Sequence, residues 1–187
     1  MLNQVFDFFK QQLNSYFSRQ LSATGDTVVY LDGKNMDPLS LELNKITPLM
    51  VNLEQEQVLR PADRFSSMNE VGKVEPMNPP LRLNVYMMFA ARFEKYDEAL
   101  KHLSLVLRYF QQRPVFTPET YPALPTEVEK LIMELVTLPF SSVNEIWGAM
   151  KAPYHPSIMY KLKMLVIQAP VPVAGGEIER IDHNLHQ

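Results

Sequence analysis

The sequence predicts a single α/β (α+β) domain in which alternating apolar strands are interleaved with amphipathic helices. Three stretches carry that prediction. Residues 95–112 place Tyr96, Ala99, Leu100, Leu103, Val106, Leu107 and Phe110 on a 3.6-residue period, and Pro114 stops the helix. Leu81 to Arg92 sets Leu81, Leu83, Val85, Met87 and Phe89 against Tyr86, Met88 and Ala90, apolar on both faces as in the middle of a sheet. Ser157 to Gln168 sets Ile158, Tyr160, Leu162, Met164 and Val166 against Met159, Lys161, Lys163 and Leu165, a last strand.

The other elements follow in chain order. Leu2, Val5, Phe6, Phe9, Leu13, Tyr16, Phe17 and Leu21 keep to one side of a first helix over residues 2–21. Its polar side is Gln and Asn rather than Lys and Arg, which favours packing on a sheet over lying on a membrane. Thr27 to Leu31, closed by Asp32-Gly33, reads as a short strand and turn. Leu49, Val51 and Leu53 mark a strand over Pro48 to Leu53. From Glu54 to Pro80 polar residues dominate, and Pro61, Pro76, Pro79 and Pro80 break up any regular element, giving a long excursion of the kind that is usually functional or disordered. Thr117 to Pro125, with three prolines, is an irregular connection.

Residues 128–138 fit two patterns. Thr126 with Glu129 resembles a capping box ahead of a helical Val128, Leu131, Ile132, Leu135 and Leu138, and periodicity slightly favours that helix. The same residues fit a strand with Leu131, Met133 and Leu135 on one face. Ser141 or Ser142 is then placed to cap a helix from Val143 to Met150 carrying Ile146 and Trp147. Pro170-Val171-Pro172-Val173 restricts residues 169–187 to an extended arm after a domain at 1–168.

Composition narrows function. Of 187 residues, 46% are apolar and 21% charged, as in ordinary globular domains. Eighteen basic and twenty-one acidic side chains leave a charge of -3, so no global positive field favours nucleic acid. Cysteine is absent, which removes disulfides and thiolate chemistry. The longest apolar run, Val85 to Ala91, is far short of the ~20 residues that span a bilayer. Asp7 and Lys10 interrupt the N-terminal apolar stretch, so no signal peptide is expected and the chain is expected to be made in the cytoplasm without direct membrane insertion. Six glycines provide neither nucleotide-binding fingerprint, and no cofactor is expected.

Catalytic groups are sparse. Asp182, His183 and His186 cluster only in the tail, so no metal site is expected. A hydrolase would have to draw on His155, Ser157 and the acidic residues near Glu54, but Ser157 lacks a nucleophile-elbow motif and reads as the start of a strand. Trp147 and the aromatic residues at 109, 110 and 116 read as core. The chain is therefore not expected to be an enzyme.

Four segments taken together carry a resemblance: VNLEQEQVLR at 51–60, NPPLRLNVYMMFAARFEKYDEALKHLSLVLRYFQ at 78–111, VFTPETYPALP at 115–125 and WGAMKAPYHPSIMYKLKMLVIQ at 147–168. Most weight falls on Pro79-Pro80 before the long strand, Tyr96 opening the helix, and Trp147 followed by Tyr154, Pro156, Ser157 and Tyr160. The series, covering about residues 1–168, resembles the tail-terminator, or cap, family of extracellular contractile injection systems, phage-tail-like particles of the antifeeding-prophage and virulence-cassette type. The resemblance implies a mixed, mainly antiparallel sheet of about five strands, flanked by an N-terminal helix, a long central helix and a short helix near Trp147. It makes residues 128–138 a strand. It also implies a six-fold homo-oligomeric ring at the baseplate-distal end of a particle, with the inner-tube and sheath proteins as partners. Another ring or adaptor of the same particle is the alternative. Some members carry a further C-terminal domain, whereas this chain ends soon after its last strand. The candidate interface residues are Glu54, Glu56, Arg60, Arg64 and Lys73 in the excursion, and Pro170, Val171, Pro172, Val173, Ile178 and Ile181 in the arm.

Overall fold

The computed structural model describes residues 1–21, 25–35, 39–56, 66–68, 74–76 and 81–166. In chain order they form α1 (Leu2–Leu21), β1 (Lys45–Gln55), β2 (Ser66–Met68), β3 (Val74–Pro76), β4 (Leu81–Arg92), α2 (Tyr96–Gln112), β5 (Val115–Phe116), β6 (Val128–Val136), α3 (Phe140–Ala149) and β7 (Ser157–Val166). The main sheet has the order β1-β4-β7-β6-β5, with every neighbouring pair antiparallel. This is the expected α+β class, with a five-stranded main sheet and, among the described residues, three α-helices.

The alternation in β4 places Leu83, Val85, Met87 and Phe89 in one core with Leu162 and Met164 of β7. The helices α1 and α2 close that core with Phe9, Leu13 and Phe17 from the first, and Leu103, Val106 and Phe110 from the second. Five rings surround Phe110, at centroid distances from 4.9 Å to Tyr160 up to 6.4 Å to Phe116. Residues 109, 110 and 116 are thus core, as expected. Among the described residues the opposite face of the sheet is covered only in part. There Met88, Ala90 and Met159 pack against Trp147 of α3 and Leu41.

Several expectations need correction. Residues 27–31 form no strand but one parallel bridge, Val28 to Ile46. The Asn14 side chain accepts the N–H groups of Thr27 (2.9 Å) and Val28 (2.8 Å) and donates to Val28 O (3.0 Å), diverting these groups from a ladder. The fifth strand is instead β5, two residues paired with Leu131 and Ile132. The strand expected at 48–53 extends over Lys45–Gln55, with a bulge between Met50 and Asn52, so Glu54 belongs to it rather than to the excursion. Within 54–80 the described residues also include the β2/β3 pair, where Pro76 stands opposite Ser66 at the end of the ladder, a position that a missing N–H tolerates.

Residues 128–136 are a strand, as the resemblance implied and against the helical periodicity. Pairing with β7 on one side and β5 on the other overrides local pattern here, and a bulge between Val128 and Lys130 resets the alternation so that Leu131 and Met133 face the core. The capping-box reading falls with the helix. The third helix starts at Phe140, with Pro139 at its N-cap and no side-chain cap bond, so Ser141 and Ser142 lie inside its first turn. The arm at 169–187 lies outside the described residues.

Candidate assembly surface

The half of this face that no described helix covers bears a polar ladder. After the bulge in β1, Asn52 and Glu54 share a face with Asn84 and Tyr86 of β4, Lys161 and Lys163 of β7, and Glu134 of β6. The Tyr86 hydroxyl donates to Glu54 Oε2 (3.1 Å), Asn84 Nδ2 donates to Glu56 Oε2 (2.9 Å), and Lys163 Nζ donates to Glu134 Oε1 (2.6 Å). Lys161 Nζ lies 6.0 Å from the Tyr86 ring centroid. Burial, and then the bond to Glu54, raise the Tyr86 phenol above its ordinary range, so it remains a donor at physiological pH. A shallow groove of about 350 Å³ opens here between Glu56, Arg82, Asn84, Lys130 and Lys163. Both members of the Lys163–Glu134 pair are well exposed, which limits the pair to under about 1 kcal/mol. A double-mutant cycle on Lys163 and Glu134 is expected to return a coupling in that range.

The candidate residues divide clearly. Glu54 and Glu56 are brought together on this surface, each already bonded within the chain. Arg60, Arg64, Lys73, Pro79, Pro80, Pro170, Val171, Pro172, Val173, Ile178 and Ile181 lie outside the described residues. The motif residues are mostly architectural. Tyr96 begins α2 and stands exposed. Pro156 O accepts the N–H of Ala91 at 2.9 Å, Ser157 opens β7 opposite Ala90, and Tyr160 packs on Phe89 and Phe110.

Trp147 is 3% exposed, and Tyr154 and His155 meet it edge-on at 5.9 and 5.8 Å. Its buried indole N–H has no acceptor among the described residues. An apolar groove of about 260 Å³ lies beside it, walled by Leu135, Leu138, Val143, Ile146 and Ile158. Leu135 (57% exposed), Phe140 (95%) and Tyr154 (64%) are apolar or aromatic side chains left open in the same part of the fold. Sequence reasoning missed Leu135 and Phe140. Leu135 continues the alternation of Leu131 and Met133 and so reads as core; in the structure it lies beyond the two residues that β5 pairs and is open. Met133 N–H donates to Pro114 O, and beyond that point the β6 edge has no partner strand among the described residues.

The geometry disperses the hydrolase constellation. Ser157 pairs with Ala90 and Glu54 with Asn84, six positions apart along β4, which is about 20 Å of strand. His102 is a packed core residue: its ring stacks on Phe93 at 4.3 Å, and Nδ1 lies 2.7 Å from Glu98 O, which requires that nitrogen to carry the proton. Among the described residues no group of three metal-ligating side chains occurs, and Asp182, His183 and His186 lie outside them. No described helix is long and apolar enough to cross a membrane.

His155 provides a pH handle on this surface. Burial, and then the Arg92 charge, hold its pKa below the usual histidine value. Between the lowered folded value and about 6.5 the unfolded chain binds the extra proton, so stability falls as pH drops through that window. Chemical denaturation at pH 7 and pH 5 is expected to show a loss that shrinks in His155→Gln.

A family model described as the Pvc16 N-terminal domain matches residues 4–180. The chain belongs to the Pvc16 N-terminal domain family. No curated protein sequence matches it. Among solved structures, it is similar to the PVC sheath/tube terminator of an extracellular contractile injection system in its extended state, with TM-score 0.63 and 10% identity over 100% of this chain and 64% of that one. It is also similar to the anti-feeding prophage cap, a tube-terminating cap, with TM-score 0.55 and 8% identity over 94% of this chain and 59% of the other. The chain thus spans about three fifths of the length of these relatives, and at such identities the likeness is one of fold.

Proposed function

We propose that this member of the Pvc16 N-terminal domain family is a tail terminator: a structural cap at the baseplate-distal end of a contractile injection particle. It stops polymerisation of the inner tube and sheath and joins the two. The observation that carries this reading is the fold likeness across the whole chain to terminators of two such particles, together with a family match over residues 4–180. The reading gives the chain a structural role without catalysis. Its partners are further copies of itself in a six-fold ring, the inner-tube protein and the sheath protein.

A ring requires two different, complementary surfaces on each copy. The polar ladder at Glu54 and Glu56, with Arg60, Arg64 and Lys73 from the following segment, supplies one set of contacts. The arm residues Pro170, Val171, Pro172, Val173, Ile178 and Ile181 supply the other, by strand addition to a neighbouring copy or to the sheath protein. The open β6 edge at Leu135, beside the Trp147 groove, supports this assignment because it offers main-chain groups next to apolar walls.

The test is to locate the chain on the particle. Gold labelling of a tagged chain is expected at one end only, opposite the baseplate; label at the baseplate would make it an adaptor instead. Reversing charge at Arg60 and Arg64 is expected to abolish ring formation. Capping that survives truncation after Gln168 would remove the arm from the account.

A further inference from the structure

The last turns of α1 and α2 converge on a cleft of about 240 Å³ lined by Tyr16, Arg19, Gln20, Arg108, Gln112 and Arg113. We infer that Arg19, Arg108 and Arg113 form a binding site for a pair of carboxylates presented by an acidic segment of a partner protein. The inference concerns the isolated chain and stands or falls apart from the terminator reading.

Three observations carry it. First, among the described residues the three guanidinium groups have no acidic partner: the ion pairs there involve lysines and one histidine, never an arginine. In a chain of net charge -3 this local excess of positive charge is out of balance with the rest. Second, Arg113 Nη1 is buried without a hydrogen-bond partner, while its guanidinium carbon lies 5.3 Å from the Tyr109 ring centroid. The ring satisfies the charge in part, but it does not accept from that N–H. An acceptor is therefore called for at this place. Third, the neighbouring polar groups are suited to an anion. Gln20 and Gln112 offer amide donors, and among the described residues no carboxylate lines the cleft.

A purely structural role, with cations neutralising helix C-termini, accounts for only part of this. Arg19 Nε does donate to Ser15 O at 3.1 Å, whereas at Arg113 it is the backbone N–H, not the guanidinium, that donates to Tyr109 O (3.0 Å). Each helix end, however, carries a partial charge of about -0.5, so two ends offset about one of three positive charges. The remaining excess of about two matches two carboxylates. Arginine forks donate bidentately to carboxylates, and Arg19 and Arg108 stand on α1 and α2 with Arg113 as the C-cap of α2, which restricts their spacing. A long nucleic-acid polyanion fits less well, because the net negative charge of the chain opposes it.

The experiment titrates the full chain with a fluorescein-labelled deca-glutamate peptide at low salt, read by anisotropy. Binding is expected to fall at least tenfold for the deca-glutamine peptide and about tenfold for Arg108→Gln, whose side chain is exposed and whose loss leaves the fold intact. Arg113→Lys retains charge but removes the fork, and is expected to lose a similar factor. Equal binding by the wild type and both variants, or no binding, would overturn the inference. Displacement by inorganic phosphate at equal concentration would also overturn it, by making this a free-anion site. Tighter binding of a ten-nucleotide single strand would overturn it in favour of nucleic acid. None of these outcomes bears on where the chain sits in a particle.

Discussion

Replacing Phe110 by alanine is expected to destabilise the protein by about 3–5 kcal/mol. Phe110 is 2% exposed and contacts rings from α1, β4, β5 and β7 at once, so its removal leaves a void that no single neighbour can fill. Total stabilities of domains run to about 5–15 kcal/mol, so a large share of the margin should disappear. At this chain length the midpoint of thermal unfolding should fall by on the order of 10 °C. Urea melts of the wild type and Phe110→Ala would measure the first, and thermal scans the second. A loss below about 1 kcal/mol would mean that the cluster at the centre of the main core is not packed as described.

The second large effect belongs to Asn14. Its side chain satisfies three backbone groups of Thr27 and Val28, residues that are themselves almost fully buried. Asn14→Ala leaves two N–H groups and one carbonyl without partners, an expected cost of about 2–4 kcal/mol. Gln11→Ala, at an exposed position on the same helix, is the control and should change stability by less than about 0.5 kcal/mol. Hydrogen exchange provides an independent reading, with protection of the Thr27 and Val28 amides expected to collapse in Asn14→Ala alone. Equal protection in both variants would show that α1 does not anchor this segment.

Asn14 also shows where sequence reasoning stops. It lies on a helix whose polar side is full of Gln and Asn, and nothing in spacing separates the one that reaches across 14 residues from those that face water. The strand expected at 27–31 failed for that reason: β-branched residues suggested a ladder, but a side chain took its donors. The elements that were legible are those where one pattern repeats long enough to dominate. β4 and β7 alternate over most of their length and pair residue for residue from Leu81 with Val166 to Ala90 with Ser157. The stripe of α2 buries Ala99, Leu103, Val106 and Phe110 as its period requires.

Residues 128–136 mark the other limit. Their local pattern tolerates helix and strand, and only their place between β7 and β5 decides it. For the assembly surface, Glu54 and Glu56 were legible as a charged edge, yet their partners Tyr86 and Asn84 lie some thirty residues away and become neighbours only through antiparallel pairing. Leu135, Phe140 and the three arginines at the ends of α1 and α2 were not legible. Exposure of an apolar side chain, and convergence of charges from two helices, are properties of packing that no spacing in the sequence encodes.

The proposed role as a terminator is tested most directly by imaging particles from source cells with and without this chain. Without it, the account predicts overlong tails, inner tube extending beyond the sheath, and no plug at the baseplate-distal end. Particles of normal length, capped and with tube and sheath still joined, would contradict it.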